Sequence, residues 1–133
     1  MKKIKKIKFK QGLIIDKTGH QIGKIKLKRI SEELTTKQLK AYFIKFEKGA
    51  RSKIHLHDSD QIIIGTEGKG NMVIFSKIND DVKNTKLEIE TSSELCEGEA
   101  ILIPAGKLHW HGASKDQSSS QMSFMNNGNT YWF

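Results

Sequence analysis

The chain has 133 residues, of which 36% are hydrophobic and 29% are charged, and its formal net charge is +8. This length and composition indicate one soluble globular domain and exclude an intrinsically disordered protein. No apolar run approaches the roughly 20 residues of a membrane-spanning helix. The lysine-rich start leads into no signal-peptide core, so we expect a cytoplasmic protein without membrane contact.

The positive charge is spread along strand-like segments. Lys24, Lys26 and Lys28 alternate with Ile25 and Leu27, which is typical of a strand with one face in solvent. Lysine on such strands also discourages edge-to-edge aggregation. The sequence contains no recognisable nucleic-acid-binding motif, so we predict no nucleic-acid partner.

The first forty residues predict short strands and turns without catalytic side chains. In chain order these are a strand at 7–9, a strand at 12–15, a turn at 16–19 and an alternating strand at 22–30. His20 follows the turn and is predicted to be a solvent-exposed loop residue. Residues 31–40 predict a loop or a single helical turn.

From residue 41 the alternation of polar and apolar residues becomes sharper. Lys45 and Glu47 are expected to face water, which turns Tyr42, Ile44 and Phe46 inward as candidate cavity walls. An inward tyrosine could donate a hydrogen bond to a substrate, or it could be a packing residue.

The remainder of the chain also predicts strands. Residues 61–65 form an apolar run expected to be buried on both faces, and Gly68 with Gly70 predicts a turn after it. The later segments are strands at 71–77, 87–89, 100–103 and 121–125 and loops at 78–84 and 114–120. The apolar tail 130–133 is expected to dock on the barrel or on a second subunit. Short strands without an amphipathic helix predict an all-β sandwich or barrel of the jelly-roll kind.

Four of the five histidines lie in two pairs, each with one residue between its members. Successive side chains of a strand point to opposite faces, so His55 and His57 share a face and can converge on one point. His109 and His111 repeat this spacing, and Gln61 follows the first pair closely enough to supply an oxygen donor. The sequence therefore predicts a metal site inside the barrel.

The residues around both pairs resemble the two cupin motifs. The first motif is matched by Gly49, His55, His57, Gln61 and Gly68, and the second by Gly98, Pro104, Gly106 and His109. The resemblance implies a single-domain cupin jelly-roll β-barrel over residues 41–133. It leaves residues 1–40 as N-terminal strands and a loop that pack on the barrel or on a partner subunit. Cupins commonly pair, so a homodimer is expected.

Finer features make the chain similar to small single-domain cupins near the carboxymuconolactone decarboxylase-like group, among them manganese-dependent hydroxynitrile lyases. Gln61 stands where glutamate is common among cupins, and in those lyases three histidines and a glutamine bind the metal. Those lyases carry another histidine where this chain has Phe124. The resemblance implies His111 as a candidate acid/base residue and the metal ligands His55, His57, Gln61 and His109.

Three imidazoles and an amide leave a divalent metal with its full charge, which favours polarisation of a carbonyl or alkoxide over dioxygen activation. Manganese or iron is the expected ion, and the donors also admit nickel, cobalt or zinc. His111 could accept a proton from a hydroxyl at the metal, or it could only orient a ligand. We predict a redox-neutral lyase that uses His111 and Tyr42 on a small hydroxylated or carbonyl compound. A metal-dependent dioxygenase and a non-catalytic small-molecule-binding cupin stay open.

Overall fold

The computed structural model describes residues 4–79, 81 and 83–133, which form twelve strands and one short helix. The strands are β1 (Ile14–Ile15), β2 (Gln21–Ile22), β3 (Ile25–Arg29), β4 (Leu39–Phe46), β5 (Arg51–Ser52), β6 (His55–His57), β7 (Gln61–Lys77), β8 (Leu87–Cys96), β9 (Ala100–Ile103), β10 (Leu108–Ala113), β11 (Ser119–Asn126) and β12 (Thr130–Trp132). The helix is α1 (Ile30–Glu33). Within the described residues, no helix has the length and apolar character needed to cross a membrane.

The strands pair antiparallel in two sheets that share β7. The first sheet has the order β1-β3-β4-β11-β7-β9. In the second sheet β7 pairs with β8 and β10, β10 also pairs with β5 and β6, and these pair with β2 and β12. Because one long strand belongs to both sheets, they curl into a jelly-roll barrel, and this confirms the fold predicted from the sequence.

The long strand β7 runs straight through glycines that the sequence analysis assigned to a turn. Gly68 has a φ of 71°, and a Cβ there would collide with the carbonyl oxygen of Ser118. The register of β7 against β11 shifts between Gly65 and Glu67, so the strand forms a bulge close to Gly68 and the chain does not reverse. The predicted turn is therefore wrong. The predicted burial of residues 61–65 on both faces is also wrong, because Ile62 is 44% exposed.

The N-terminal segment packs against the outside of the first sheet. Phe9 contacts Phe43 with 5.2 Å between ring centroids, and Ile7 lies in the same cluster. Residues 7–9 have no strand pairing, so the strand predicted there is wrong; the segment is held by side-chain packing. The pairing of β3 with β4 joins residues on either side of residue 40. The division of the chain into an N-terminal segment 1–40 and a barrel 41–133 stays a prediction.

At two further places the structure corrects a predicted element or decides between two predicted alternatives. The run at 22–30 is interrupted at Gly23, whose φ is 84° and whose missing side chain leaves room for Ala50. Of the two alternatives for residues 31–40, the structure contains the single helical turn, α1. In the predicted loop 78–84, Asp80 and Val82 lie outside the described residues, and the other members form no strand.

The barrel interior contains apolar and polar side chains in separate groups. Two apolar clusters consist of Ile25, Leu27, Ile44, Phe46, Ala50 and Ala113, and of Ile63, Met72, Ile74, Leu95 and Ile103. The buried polar side chains include Ser52, His55, His57, Gln61, His109, His111, Gln121 and Ser123. Burial of polar groups costs free energy unless each one is hydrogen-bonded or binds a ligand. Their concentration in one barrel therefore marks a site.

Candidate metal centre

Three histidines from two paired strands meet inside the barrel. His55 and His57 lie on β6, His109 lies on β10, and His55 is the register partner of His109. The ring centroid of His55 is 4.8 Å from that of His57 and 4.3 Å from that of His109. One ring nitrogen of each histidine lies within 4.8 Å of the other two. Strand pairing and the i, i+2 spacing thus place three imidazoles around one point.

The Nδ1 atom of each of these rings already has a protein partner. In His55 and in His109, Nδ1 donates to the carbonyl oxygen two residues earlier in the chain, at 2.7 Å and 2.8 Å. In His57, Nδ1 lies 2.8 Å from the hydroxyl oxygen of Thr130 on β12, which can accept its proton. A neutral imidazole with its proton on Nδ1 carries its lone pair on Nε2. His55 and His109 therefore have the tautomer that a metal ligand needs, and the Thr130 hydroxyl can hold His57 in the same tautomer.

Burial keeps these rings uncharged. It lowers the pKa of His55 and of His109 to about 3, and it lowers the pKa of His57 to about 4. Repulsion from the neighbouring imidazoles acts in the same direction. At neutral pH the three lone pairs are therefore available to a ligand.

The orientation of the Gln61 amide shows whether a cation fits among these lone pairs. Its Nε2 donates to the hydroxyl of Ser123 at 2.7 Å, which turns its Oε1 toward His109, 3.0 Å from Nε2. Since the proton of His109 is on Nδ1, Nε2 of His109 and Oε1 of Gln61 face each other as two acceptors in this amide orientation. Nε2 of His57 is buried and has no hydrogen-bond partner among the described residues. A divalent cation would satisfy all these atoms together, so the residues present fit a metal ion.

His111 is held apart from the cluster. Its ring centroid is 6.4 Å from those of His55 and His109. Its Nδ1 donates to Oε1 of Gln121 at 2.9 Å, and that amide is oriented by its own bonds to a backbone carbonyl and a serine hydroxyl, each at 3.0 Å. Nε2 of His111 therefore carries a lone pair and has no hydrogen-bond partner within the described residues. Burial lowers the pKa of His111 to about 4, so it is a neutral acceptor.

A cavity of about 190 Å³ is lined by His55, His57, Gln61 and His111. Tyr42 also lines it. Ile44 contributes to the apolar wall as predicted. Phe46 does not line the cavity: it is fully buried and packs edge-on against His111, with 5.6 Å between ring centroids. Its prediction as a cavity wall is therefore wrong.

The sequence profile of the cupin family matches residues 9–131. The chain belongs to the cupin family. Among solved structures, a cupin-like protein from Thermotoga maritima superposes with a TM-score of 0.69 at 24% identity, over 90% of this chain and 83% of that one. A search of curated proteins finds no match.

Two enzymes share the cupin fold at lower identity. The polyketide cyclase RemF from Streptomyces resistomycificus has a TM-score of 0.72 at 15% identity, over 98% of this chain and 85% of that one. The oxalate decarboxylase of Bacillus subtilis, which contains Mn(II) centres, has a TM-score of 0.61 at 14% identity. That match spans 84% of this cupin and 28% of the decarboxylase. At these identities the likeness shows a common fold and no common reaction.

The mouth of the cupin cavity contains groups that the sequence analysis missed. His20 stacks on Trp132 with 3.9 Å between ring centroids, and Trp132 also packs against His55 at 4.5 Å. His20 is half-buried, so its prediction as a solvent-exposed residue is wrong. In the sequence, the apolar tail 130–133 was the one sign that Trp132 would be part of the site. The tail docks on its own barrel, because β12 pairs with β6.

Phe124, at the position where the predicted resemblance to hydroxynitrile lyases implies a histidine, does not reach the cavity. It packs in the cluster on the outside of the first sheet, and its neighbour Met125 faces the cavity. Alternation along β11 explains this arrangement. A histidine at position 124 would therefore not face the metal candidates.

Proposed function

We propose that this cupin is a metal-dependent, redox-neutral enzyme of the lyase type that acts on a small hydroxylated or carbonyl compound. The observation that carries the proposal is the separation of the four buried histidines into two groups. His55, His57 and His109 surround one point with their Nε2 lone pairs, whereas His111 is held at a distance with a free Nε2 of its own. A neutral imidazole beside a metal ion is the arrangement that proton transfer to or from a metal-bound substrate needs.

We propose His55, His57, Gln61 and His109 as the ligands of one divalent transition ion, with manganese or iron as the first candidates. Imidazole and amide donors also suit nickel, cobalt and zinc. The Mn(II) centres of the Bacillus subtilis oxalate decarboxylase support manganese as the first ion to test. Bound among four uncharged donors, such an ion would supply Lewis acidity toward a substrate oxygen.

His111 is the proposed acid/base residue. Gln121 holds its proton on Nδ1, so Nε2 can accept a proton from a substrate hydroxyl and return it to the product. Its pKa, lowered to about 4 by burial, keeps it unprotonated at neutral pH before substrate arrives. Tyr42 would donate a hydrogen bond that orients the substrate. Both side chains line the same cavity.

Cyanohydrin cleavage is the first specific reaction to assay, on the resemblance to the manganese-dependent hydroxynitrile lyases. The position of Phe124 outside the cavity means that any such reaction would proceed without a further histidine on β11. The proposal is therefore made at the level of reaction class.

The test compares the metal-loaded parent with His111→Ala in assays of cyanohydrin cleavage and of oxygen uptake. We expect turnover in the parent without oxygen uptake, and loss of turnover in the variant with unchanged metal content. Equal turnover in both proteins would contradict the role of His111. Oxygen consumed in proportion to product would identify a dioxygenase. Unchanged ligand affinity without turnover in either protein would identify a binding module.

A further inference from the structure

The cavity mouth carries a half-buried lysine that forms no ion pair with a carboxylate of the described residues. Lys40 on β4 lines the cavity, and its Nζ donates to the carbonyl oxygen of Gly128 at 2.7 Å. None of the ion pairs formed by the described residues includes it. An ammonium group has three donors, so two of them remain for a ligand.

Strand register places Lys40 at the level of the candidate metal centre. Lys40 pairs with Met125 on β11, and Met125 pairs with Gln61 on β7. Neighbouring strands are about 4.8 Å apart, so the backbones of Lys40 and Gln61 are separated by roughly 10 Å across the barrel wall. The charge of Lys40 also contributes to the lowered pKa of His57. The ammonium is therefore within electrostatic reach of the histidine cluster.

The other charged groups that line the mouth are Arg29 and Asp16, and the Asp58 carboxylate lies beside Gly128. Arg29 pairs with Glu32 at 3.5 Å and also interacts with the charge of Asp16. The Asp16 carboxylate in turn accepts a hydrogen bond from Gln21 at 2.9 Å. Lys40 is therefore a cation of the cavity lining that has no ion-pair partner among the described residues. A divalent ion in the histidine cluster would add further positive charge to the same cavity.

We propose that the ligand of this cavity is a small carboxylate that also carries a hydroxyl or carbonyl group, such as a 2-hydroxy acid. Lys40 holds the carboxylate, and the hydroxyl or carbonyl oxygen lies toward the histidine cluster. The location of that second oxygen rests on the proposed function, whereas the carboxylate site rests on Lys40 alone. An uncharged ligand would leave the half-buried ammonium without a counter-charge, which is costly once water is displaced. The cavity of about 190 Å³ accepts a molecule of this size.

The test uses glycolate and its uncharged analogue glycolamide as probes. Each is titrated into the metal-free and the manganese-loaded or zinc-loaded protein, with binding followed by NMR for the metal-free and zinc forms and by calorimetry for the manganese form. The variants are Lys40→Met, which keeps the aliphatic stem, Lys40→Arg, which keeps the charge, and Lys45→Met as the matched control. Lys45 lies on the same strand with its side chain in solvent.

We expect glycolate to bind the parent at least about 10-fold more tightly than glycolamide, as one charge-assisted hydrogen bond allows. Lys40→Met should lose this preference, while Lys40→Arg and Lys45→Met should keep it. Equal binding of glycolate by the parent and Lys40→Met, equal binding of both probes by the parent, or no binding of glycolate to either form would overturn the proposal.

Metal content measured in the same samples separates this proposal from the proposed function. A preference for glycolate that persists in metal-free protein, in a chain that takes up no metal, would refute the metalloenzyme and leave the carboxylate site standing. Normal metal uptake without any preference for glycolate would refute the carboxylate site alone.

Discussion

The two histidine pairs have the same spacing in the sequence and different surroundings in the structure. His55 and His57 both join the cluster, with ring centroids 4.8 Å apart. The rings of His109 and His111 are 6.4 Å apart, and only His109 joins the cluster. Both pairs lie on strands and point into the barrel. The i, i+2 spacing therefore brings a histidine to the interior without deciding whether it becomes a metal-ligand candidate.

The partner of Nδ1 accounts for the difference between the pairs. The first member of each pair, His55 or His109, bonds to the carbonyl oxygen two residues earlier, so its orientation is a local property of the chain. The second member depends on a distant strand: His57 bonds to Thr130, 73 residues away, and His111 bonds to Gln121. Tertiary structure therefore places one second member in the cluster and the other outside it.

Removal of each member of the second pair in turn should give the largest contrast. His109→Ala deletes a ligand nitrogen, so we expect manganese affinity to fall by more than about 100-fold, the upper range for loss of a residue that only supports a ligand. His111→Ala should change this affinity little, because His111 lies outside the cluster. Titration of free Mn²⁺ followed by electron paramagnetic resonance measures both. Losses of similar size would make His111 a ligand and abolish the contrast.

A smaller loss of manganese affinity is expected when the hydrogen bond between Thr130 and His57 is removed. Thr130→Val removes the hydroxyl that accepts from Nδ1 and keeps the shape of the side chain, so manganese affinity should fall by about 10-fold to 100-fold. Thr130→Ser retains the hydroxyl and is the matched control, with affinity near that of the parent. Parent-like affinity in Thr130→Val would show that β12 does not orient His57.

The smallest expected effect on metal binding concerns the support of His111. Gln121→Met removes the acceptor that keeps the proton on Nδ1, so we expect turnover to fall by about 10-fold while metal affinity stays near that of the parent. Nitrogen NMR of the imidazole should show a mixture of tautomers in the variant and one tautomer in the parent. Thermal unfolding of the same samples checks the fold. A single unchanged tautomer with unchanged turnover would show that Gln121 does not set the tautomer of His111.

The parts of the site that could be predicted from the sequence are those set by local spacing. Alternation along a strand was enough to turn His55 and His57 to one face, and the two motifs with their intervals were enough for the jelly-roll fold. Thr130 and Gln121 gave no signal, because their bonds to histidine depend on which strands become neighbours. Lys40 was hidden for the same reason, since a lysine at a strand start is ordinarily a solvated residue.

The incorrect predictions have physical causes of the same kind. Gly68 and Gly70 predict a turn because glycine is common in turns, but it is also common beside a bulge, and only strand pairing distinguishes the two. His20 was assigned to solvent because it follows a turn, but the C-terminal tail supplies Trp132, on which it stacks. Contacts between the two ends of the chain leave no periodic pattern in either segment.

Elemental analysis decides whether the histidine cluster binds one divalent transition ion. The parent and His55→Ala are purified without chelator or affinity-tag metal and analysed before and after reconstitution. We expect about one equivalent of manganese or iron in the parent and little in His55→Ala, because the site needs all its ligands. Equal and negligible metal in both proteins after reconstitution would contradict it.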